Sequence, residues 1–400
     1  MCLLHVLSAE FFAGSAAYAV QLAEAHRAQG HALWMISDSD QLPTGATQLR
    51  AAISNRGFGQ RLRNARLIRQ VVRRERIDVV HCHSRAASWV SYLALRGLPV
   101  PLVSTVHGRQ HLHTARALVD VYGDKIIAIC GNLRAHLTAE ISLAPAKIIE
   151  IPNGVAFSAS LDEELRMKNE ELEANNSSLL IPHSPLSQPL RLAFIGRFNG
   201  GKGERAAALL QQVFPVLLRE FPQLRLALIG GELEALPAAG KTALAQLQAI
   251  FGARIEVVGF SKDVAGWLAR TSLVIGAGRV AIEALGAGRP VLALGEASYA
   301  GLVSEATFTA AAASNFGDIS AVLAASAVNF AALLADARAF LQNPKPVTAA
   351  LREQVRTHYD LHTVAARVLE TYQAARMRKA APNFIPVLMY HKIPDAPLGV

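Results

Sequence analysis

The sequence predicts an α/β protein of two domains, each built on a parallel, doubly wound sheet. Short apolar runs alternate with segments of helical periodicity through residues 1–155, and the same alternation returns from residue 191. Between the two halves, residues 156–190 hold a charged stretch, a Ser-Ser pair and three prolines, which is typical of an exposed linker. Strands that alternate with helices usually form parallel sheets covered by helices on both faces.

Each half contributes a series of buried strands. In the first half the predicted strands cover 3–7, 32–36, 77–83, 102–107, 125–130 and 147–151. In the second half, residues 191–348, they cover 192–195, 224–231, 254–259, 272–276 and 290–294, and a helix is predicted over 204–218. Residues 349–378 are expected to form one closing helix that packs back toward the first half. Ligands of such sheets bind beyond the carboxyl ends of the strands, so two facing domains would enclose one cleft.

The amino-acid composition excludes several classes of protein. The chain has 400 residues, of which 52% are hydrophobic and 18% charged, and this balance excludes a disordered chain. No apolar run reaches the roughly 18–20 residues of a membrane-spanning helix. The three cysteines form neither a disulfide framework nor a zinc spacing, so we expect reduced thiols and a cytoplasmic protein.

The net charge of +9 is concentrated in one segment. Nine arginines and one acid lie between Arg50 and Arg76. Four of the arginines recur every three or four residues along one helical face, namely Arg63, Arg66, Arg69 and Arg73. Such a face is typical of contact with an anionic membrane surface or a lipid-phosphate acceptor, although a simple solvated surface explains it equally well. Nucleic acid is the least favoured partner because no aromatic residues are interleaved with the charges.

A glycine-rich loop follows the first strand of the second half. Gly196 ends the apolar run 192–195, glycines recur at 200, 201 and 203, and a helix follows. Backbone N–H groups in such a loop can approach an anion closely, and the helix N-terminus adds partial positive charge. Arg197 and Lys202 add two full charges. The stretch therefore predicts a diphosphate site, against the alternative of an ordinary turn with two solvated cations.

Other residues at predicted strand ends extend this site. Glu283 lies early in a helix after the loop Gly276–Arg279, where a carboxylate can accept hydrogen bonds from two vicinal hydroxyls. Gly14 precedes a helix in the first half and allows a ligand close to the backbone. His107 follows a strand of the first half and is either a ligand-binding or a structural histidine. Three further positions complete the candidate donor site: Gly259, Gly278 and Arg279.

Taken together, these motifs resemble the glycosyltransferases of the GT-B fold, specifically the family 4 group, from residue 1 to about 378. The matching stretches are the Gly14 loop, Asp78–His83, Thr105–Gly108, Asp124–Ile129, Ile151–Gly154, Gly196–Gly203 and Glu283–Val291. The resemblance implies a nucleotide-sugar donor in the second domain and a glycan or lipid-linked acceptor in the first. It implies that Arg197 and Lys202 neutralise the leaving diphosphate, Glu283 holds the ribose, His107 reaches the transferred sugar, and the anomeric configuration is retained.

One departure from the family pattern keeps alternatives open. The family often has a second glutamate eight residues before the ribose-binding one, and here that position is Ile275. Two other functions are therefore considered: a nucleotide-sugar 2-epimerase, and a non-catalytic nucleotide-sugar-binding or membrane-docking module. We expect no cofactor and no metal. Asp38-Ser-Asp40 matches a metal-binding motif of a different transferase fold, and the histidines at 81, 83, 107, 111 and 113 lack evident carboxylate partners for zinc.

The C-terminal residues 379–400 differ from the rest. The segment Phe384–Ile393 resembles the opening strand of a polysaccharide deacetylase domain. That resemblance implies a fusion whose second module is truncated here, while the alternative is a chance apolar tail.

Overall fold

The computed structural model describes residues 1–9, 14–110, 121–157, 190–320 and 328–380. These residues form two α/β domains, as the alternating pattern predicts, and each domain surrounds its own sheet. The predicted linker falls mostly on residues 158–189, which lie outside the described residues, and so do the tail from 381 onward and the histidines at 111 and 113.

The first domain has a seven-stranded sheet in which every pairing is parallel. Its strand order is β3-β2-β1-β4-β5-β6-β7, so the chain winds outward from β1 in both directions. The elements are β1 (Cys2–Val6), α1 (Ser15–Ala28), β2 (Ala32–Ser37), β3 (Thr47–Arg50), α2 (Phe58–Arg74), β4 (Val79–Cys82), α3 (Arg85–Leu95), β5 (Leu102–Val106), β6 (Lys125–Ala128), α4 (Gly131–Ala139), a 3₁₀ turn (Pro145–Lys147) and β7 (Ile148–Glu150).

The second domain has a six-stranded sheet of order β10-β9-β8-β11-β12-β13, parallel except for the last strand. Its elements are β8 (Arg191–Ile195), α5 (Gly200–Gln212), α6 (Phe214–Glu220), β9 (Arg225–Ile229), α7 (Ala238–Phe251), β10 (Ile255–Gly259), α8 (Val264–Ala269), β11 (Leu273–Gly276), α9 (Arg279–Gly286), β12 (Val291–Leu294), β13 (Tyr299–Leu302), α10 (Phe308–Ala313) and α11 (Phe330–Gln342). Two 3₁₀ turns, Leu233–Ala235 and Gly252–Arg254, lie on either side of α7.

The single helix predicted over 204–218 is wrong. The structure has two helices there, α5 and α6, which are separated at Val213. Pro215 stands in the first turn of α6, where its missing N–H is harmless, whereas inside one continuous helix it would remove a hydrogen bond and clash with the preceding turn.

The single closing helix predicted over 349–378 is also wrong, because the chain forms α12 (Ala349–Tyr359) and α13 (Leu361–Ala380). Asp360 between them has an extended conformation, with φ −55° and ψ 128°. Leu351 and Val355 of α12 join the core of the second domain, whereas Val364 and Val368 of α13 join the core of the first. The chain therefore returns from the second domain to the first at this break.

The outgoing and returning crossings contact each other. Val155, at the end of the first domain, donates its N–H to Tyr359 O at 2.8 Å, and Leu361 donates to Val155 O at 3.1 Å. The two chain segments that join the domains are thus held side by side next to Asp360.

The two domains also meet through side chains near the carboxyl ends of their strands. Arg279, at the start of α9, donates Nη2–H to Gln21 Oε1 of α1 at 2.8 Å. Asn132 donates to Ile319 O at 2.9 Å, and Arg109 donates to Ser320 O at 2.7 Å. The carboxyl edges of the two sheets therefore face each other. Among the helices that the structure describes, none combines the length and the hydrophobicity that crossing a bilayer requires.

Candidate functional site

The glycine loop after β8 leads directly into a helix. Gly196 donates its N–H to Ile229 O on the neighbouring strand at 2.9 Å, and α5 begins at Gly200. Gly203 has no room for a side chain, because a Cβ there would lie 2.2 Å from Phe198 O. The helix N-terminus is thereby held tightly against the loop, with its free N–H groups at the carboxyl edge of the sheet.

Both predicted cations of this loop are paired with carboxylates. Arg197 Nη2 lies 3.0 Å from Glu296 Oε1, and Lys202 Nζ lies 3.0 Å from Asp318 Oδ2. The pairs differ in exposure: the Arg197 side chain is 63% exposed, whereas the Lys202 side chain is 21% exposed. Lys202 is therefore held in one position, while Arg197 remains largely in solvent.

Three loops lie beside one another at this edge. Gly230 donates its N–H to Gly259 O at 2.7 Å, and a Cβ on Gly230 would lie 2.9 Å from Gly196 O. Gly259 itself has a φ of 71°, in the left-handed region that favours glycine. The ends of β8, β9 and β10 are thus in backbone contact, and the predicted residues Gly196 and Gly259 belong to one glycine-lined surface.

The second predicted loop, at the end of β11, is braced by an unusual turn. Gly278 has a φ of 57° and donates its N–H to Asn315 O at 3.1 Å. Asn315, Phe316 and Gly317 have positive φ values of 51°, 58° and 91° in succession. Such conformations cost energy in non-glycine residues and persist only where the surrounding structure enforces them. The turn also places Asp318 beside Lys202, so it connects the two predicted halves of the donor site.

Arg279 and Glu283 form an ion pair within the first turns of α9. Arg279 Nε lies 2.7 Å from Glu283 Oε1, and its Nη2 reaches Gln21 of the first domain. Arg279 Nη1 is buried and has no hydrogen-bond partner among the described residues. A buried guanidinium N–H without a partner costs free energy, so this position is suited to an additional acceptor.

His107 lies on the first domain, just past β5. Its two ring nitrogens are buried and have no hydrogen-bond partner among the described residues. The ring packs edge-on against Tyr18 and stacks on His83, at centroid distances of 5.8 and 6.0 Å. Burial lowers the pKa of His107 to about 4, so the imidazole is neutral at physiological pH.

Gly14 precedes α1 with a φ of 54°, and a Cβ there would contact nothing within 4 Å among the described residues. The preceding loop residues, 10–13, lie outside the described residues. The space and the conformation of Gly14 thus agree with the expected approach of a ligand to the backbone.

The predicted arginine face lies on α2 of the first domain, whereas the glycine loops belong to the second domain. Arg63, Arg66 and Arg73 are exposed. Arg69 differs from them, because its Nη1 donates to Ala94 O and Arg96 O at 2.7 and 2.8 Å and so ties α2 to the end of α3. Three of the four arginines form an exposed cationic surface, in which Arg63 also donates to Gln60 Oε1, and the fourth ties two helices together.

Asp38, from the Asp38-Ser-Asp40 motif, has a structural role. Its carboxylate accepts hydrogen bonds from Ala9 N, Ser54 N and Ser54 Oγ, at 3.1, 2.9 and 2.9 Å. Because these contacts occupy the carboxylate within the sheet edge, the motif is explained without a metal. The three cysteines are free thiols.

Sequence reasoning missed Gln21, Glu296 and Asp318. They contact Arg279, Arg197 and Lys202 from 258, 99 and 116 residues away in the chain. Asp318 directly follows the Asn315–Gly317 turn, and no spacing rule connects it with the glycine loop. One signal was present for Glu296, because it follows Gly295 at the end of β12, where parallel sheets bind ligands.

Part of the first domain resembles a known protein family. Residues 12–158 match a family model described as Glycosyltransferase Family 4. No curated protein matches the chain.

Solved structures match almost the whole chain. A glycosyltransferase from Rickettsia africae superposes with a TM-score of 0.68 at 19% identity, over 94% of this chain and 98% of that one. The Anabaena HepE protein, solved in complex with UDP and glucose, gives 0.62 at 16% identity, over 94% and 100%. The UDP-GlcNAc 2-epimerase of Neisseria meningitidis, bound to UDP-GlcNAc, gives 0.52 at 12%, over 94% and 100%. At such identities the likeness establishes the fold, and the chain therefore has the predicted GT-B fold.

Proposed function

We propose that this protein is a glycosyltransferase that moves a sugar from a nucleotide-sugar donor to a glycan or lipid-linked acceptor, in the synthesis of surface polysaccharide or glycolipid. One observation carries the proposal. Two glycine loops with Arg197, Lys202 and Arg279 lie at the edge of one domain. His107, whose two ring nitrogens have no hydrogen-bond partner among the described residues, lies in the domain that this edge faces. The family 4 match over residues 12–158 supports the class of reaction.

The donor diphosphate binds at the loop before α5 in this proposal. Lys202 and Arg197 exchange Asp318 and Glu296 for phosphate oxygens, and the N–H groups at the start of α5 add hydrogen bonds. Negative charge grows on the diphosphate as the bond to the sugar breaks. Fixed cations that meet this charge lower the barrier, because they stabilise the transition state more than the ground state.

The remaining residues orient the donor. Glu283 accepts hydrogen bonds from the two hydroxyls of the ribose. Arg279, which is already paired with Glu283, directs toward an acceptor atom of the donor its Nη1, which has no partner within the described part of the chain. Neutral His107 donates one hydrogen bond to the sugar and accepts another. Retention of the anomeric configuration, without a dedicated base, is part of the proposal and rests on the resemblance to family 4.

The acceptor side of the proposal involves α2. Its exposed arginines, Arg63, Arg66 and Arg73, form a surface suited to anionic lipid headgroups, which would bring a lipid-linked acceptor to the first domain. Transfer would then take place at the inner face of the membrane, in the cytoplasm.

A second candidate, a nucleotide-sugar 2-epimerase, is favoured by one observation. Ile275, directly before the loop Gly276–Arg279, stands in place of the second family glutamate, and the same fold occurs in the 2-epimerase of Neisseria meningitidis. An epimerase interconverts its substrate without any acceptor.

The experiment that tests the proposal incubates the protein with UDP-, GDP- and ADP-sugars, with and without a lipid extract as acceptor. We expect one donor to release its nucleoside diphosphate, faster when acceptor is added. An epimeric nucleotide sugar without diphosphate release would favour the second candidate. Binding without either reaction would leave a non-catalytic binding module and contradict the proposal.

A further inference from the structure

Four fully buried histidines lie between the first sheet and the helices α1 and α13. His5 and His81 are direct neighbours on β1 and β4, His83 follows β4, and His26 lies on α1. All four are at most 3% exposed. A protein rarely buries so many imidazoles together, because each carries two polar nitrogens that need partners.

Three of these rings converge on one point. One nitrogen each from His5, His81 and His83 can be chosen so that all three lie within 4.8 Å of one another. His5 Nδ1 and His83 Nε2 are only 3.0 Å apart. Metal–nitrogen distances of about 2.0–2.1 Å place the ligands of a tetrahedral ion roughly 3.4 Å apart, so the three rings would need only small adjustments to close around one ion.

Some buried polar atoms of the group lack a hydrogen-bond partner in the described part of the chain, and they are not the atoms of the His5 Nδ1–His83 Nε2 pair. His5 Nε2, His83 Nδ1 and the Tyr18 hydroxyl are buried without partners among the described residues. The Tyr18 ring lies 6.1 Å from the His83 ring, measured between centroids.

We propose that His5, His81 and His83 bind a divalent transition-metal ion of the zinc class, with Tyr18 or a water molecule as the fourth ligand. The donor set consists of imidazoles, and no carboxylate or cysteine joins this group within the part of the chain that the structure describes. Imidazole ligands suit zinc, cobalt, nickel and copper, whereas magnesium and calcium require oxygen ligands.

The surroundings of His81 support the ring as a ligand. Its Nδ1 lies 2.6 Å from the Tyr372 hydroxyl on α13, and its Nε2 lies 2.8 Å from Thr105 Oγ1. Metal-bound histidines usually hold their other nitrogen in such a contact, which orients the ring. Coordination through Nε2 would replace only the Thr105 contact and would keep Tyr372 in place. The ion would then tie β1 and β4 to α13, the helix that returns from the second domain.

The His83 ring stacks on His107, and the Tyr18 ring packs edge-on against the same imidazole. The three histidines are sealed from solvent, so the role assigned to the ion is structural. The inference does not use the proposed transferase activity. It concerns the assembly of the first domain, and it is tested by metal binding and by stability.

The test uses the full-length chain without an affinity tag, stripped with EDTA and titrated with Co²⁺. We expect one equivalent to bind, with the visible d–d absorption of a tetrahedral site, to be displaced by Zn²⁺ and to raise Tm. His83→Gln and His5→Gln should lose the absorption and the Tm shift. His362→Gln, which removes an exposed histidine, should keep both.

Two results would overturn the proposal. In the first, the EDTA-treated wild-type protein, still folded by circular dichroism, takes up no Co²⁺ and no Zn²⁺ at micromolar concentrations. This measurement does not depend on whether any variant folds. In the second, His83→Gln folds and binds Co²⁺ with unchanged stoichiometry and absorption.

Discussion

At the scale of single residues, the cations of the candidate donor site are already neutralised within the chain. Glu296 and Asp318 occupy Arg197 and Lys202, and Glu283 occupies Arg279. Under the proposed function, a donor diphosphate would therefore compete with carboxylates for these groups. We expect the Lys202–Asp318 pair to be the strongest of these interactions. Both side chains are largely shielded from solvent, so water screens their charges poorly.

Lys202→Met tests the role of this lysine. The variant keeps an unbranched side chain and removes the charge, so turnover should fall by about 10²–10³-fold, as for other lost electrostatic groups. Tm should also fall, because Asp318 is left without its partner in a largely shielded position. Steady-state kinetics and thermal melting measure the two effects. Lys241→Met, on α7 of the same domain, is the control and should leave turnover unchanged. Normal turnover in Lys202→Met would remove this residue from the site.

Glu283→Gln tests the ribose contact. Replacing a charged acceptor by an amide should weaken donor binding by roughly 1.5–3 kcal/mol, the usual contribution of hydrogen bonds to charged groups. Calorimetric titration with the active nucleotide sugar measures the affinity, and Glu353→Gln on α12 serves as the control. If Glu283→Gln binds the donor as tightly as the wild type, the carboxylate does not hold the ribose.

Sequence reasoning identified the residues of the glycine motifs because their function depends on local spacing. Gly196, Arg197 and Lys202 lie within seven positions, between a strand and a helix. Their carboxylate partners come from separate loops, and such contacts depend on the packing of β12 and of the Asn315–Gly317 turn. For that reason the sequence did not reveal that Arg197 and Lys202 are paired with carboxylates.

At the scale of elements, α2 combines an apolar face with an exposed cationic one. Ala65, Ile68 and Val72 are buried against the sheet, while Arg63, Arg66 and Arg73 are exposed. Arg69 should be left intact in experiments on this surface, because its contacts with the end of α3 stabilise the fold.

Membrane attraction through α2 is tested by replacing these three exposed arginines with glutamine. The wild-type protein should sediment with vesicles that contain anionic lipid, and this binding should weaken as salt rises, because exposed charges are screened within about 10 Å at 0.1 M. The triple variant should lose most of the binding. Replacement of Arg219, Arg225 and Lys241 in the second domain is the matched control. Vesicle binding that is absent, or insensitive to salt, would reject this role of α2.

The strands predicted from apolar runs are present in the structure. The two strands that were not predicted, β3 and β13, lack such runs. β3 (Thr47–Arg50) is an edge strand with half-exposed polar residues, and β13 (Tyr299–Leu302) is an antiparallel edge strand that contains Gly301. Edge strands are buried on fewer sides and so carry a weaker hydrophobic pattern. The helix break at Asp360 was missed because the periodicity on both sides is helical, while the two faces pack on different domains.

At the scale of the whole molecule, the fold buries histidines that the unfolded chain exposes. His26 illustrates the consequence: burial lowers its pKa to about 4, with a smaller contribution in the same direction from His31 and an opposing one from the Ala365 carbonyl. Its other neighbours are the rings of His5 and Tyr372. The folded protein keeps His26 neutral at a pH where the unfolded chain, with a histidine pKa near 6.5, is protonated.

Acid should therefore destabilise the protein before its carboxylates titrate. Between pH 6 and pH 5 the unfolded state binds more protons than the folded state, so the free energy of unfolding falls as pH falls, by up to about 1.4 kcal/mol per pH unit for each such histidine. Urea unfolding in the presence of EDTA measures this slope. His26→Gln should reduce the slope and His362→Gln should not. An equal slope in His26→Gln and the wild type would contradict the argument.

The sequence pattern predicted two facing domains and a C-terminal helix that returns to the first, but it did not predict the polar contacts between the domains. Alternating strands and helices identify parallel sheets through local periodicity. The contacts between the domains, such as Arg279 with Gln21 and Asn132 with Ile319, involve polar residues with no periodic signal. These contacts can be identified only from the folded structure.

The most direct test of the central claim is binding of nucleotide sugars to the wild type and to Lys202→Met, measured by calorimetric titration over a panel of UDP-, GDP- and ADP-sugars. A donor diphosphate held at the loop before α5 predicts that one nucleotide sugar binds the wild type with one-to-one stoichiometry and binds Lys202→Met much more weakly. If no nucleotide sugar binds, or if the folded variant binds with unchanged affinity, the site is not a donor site.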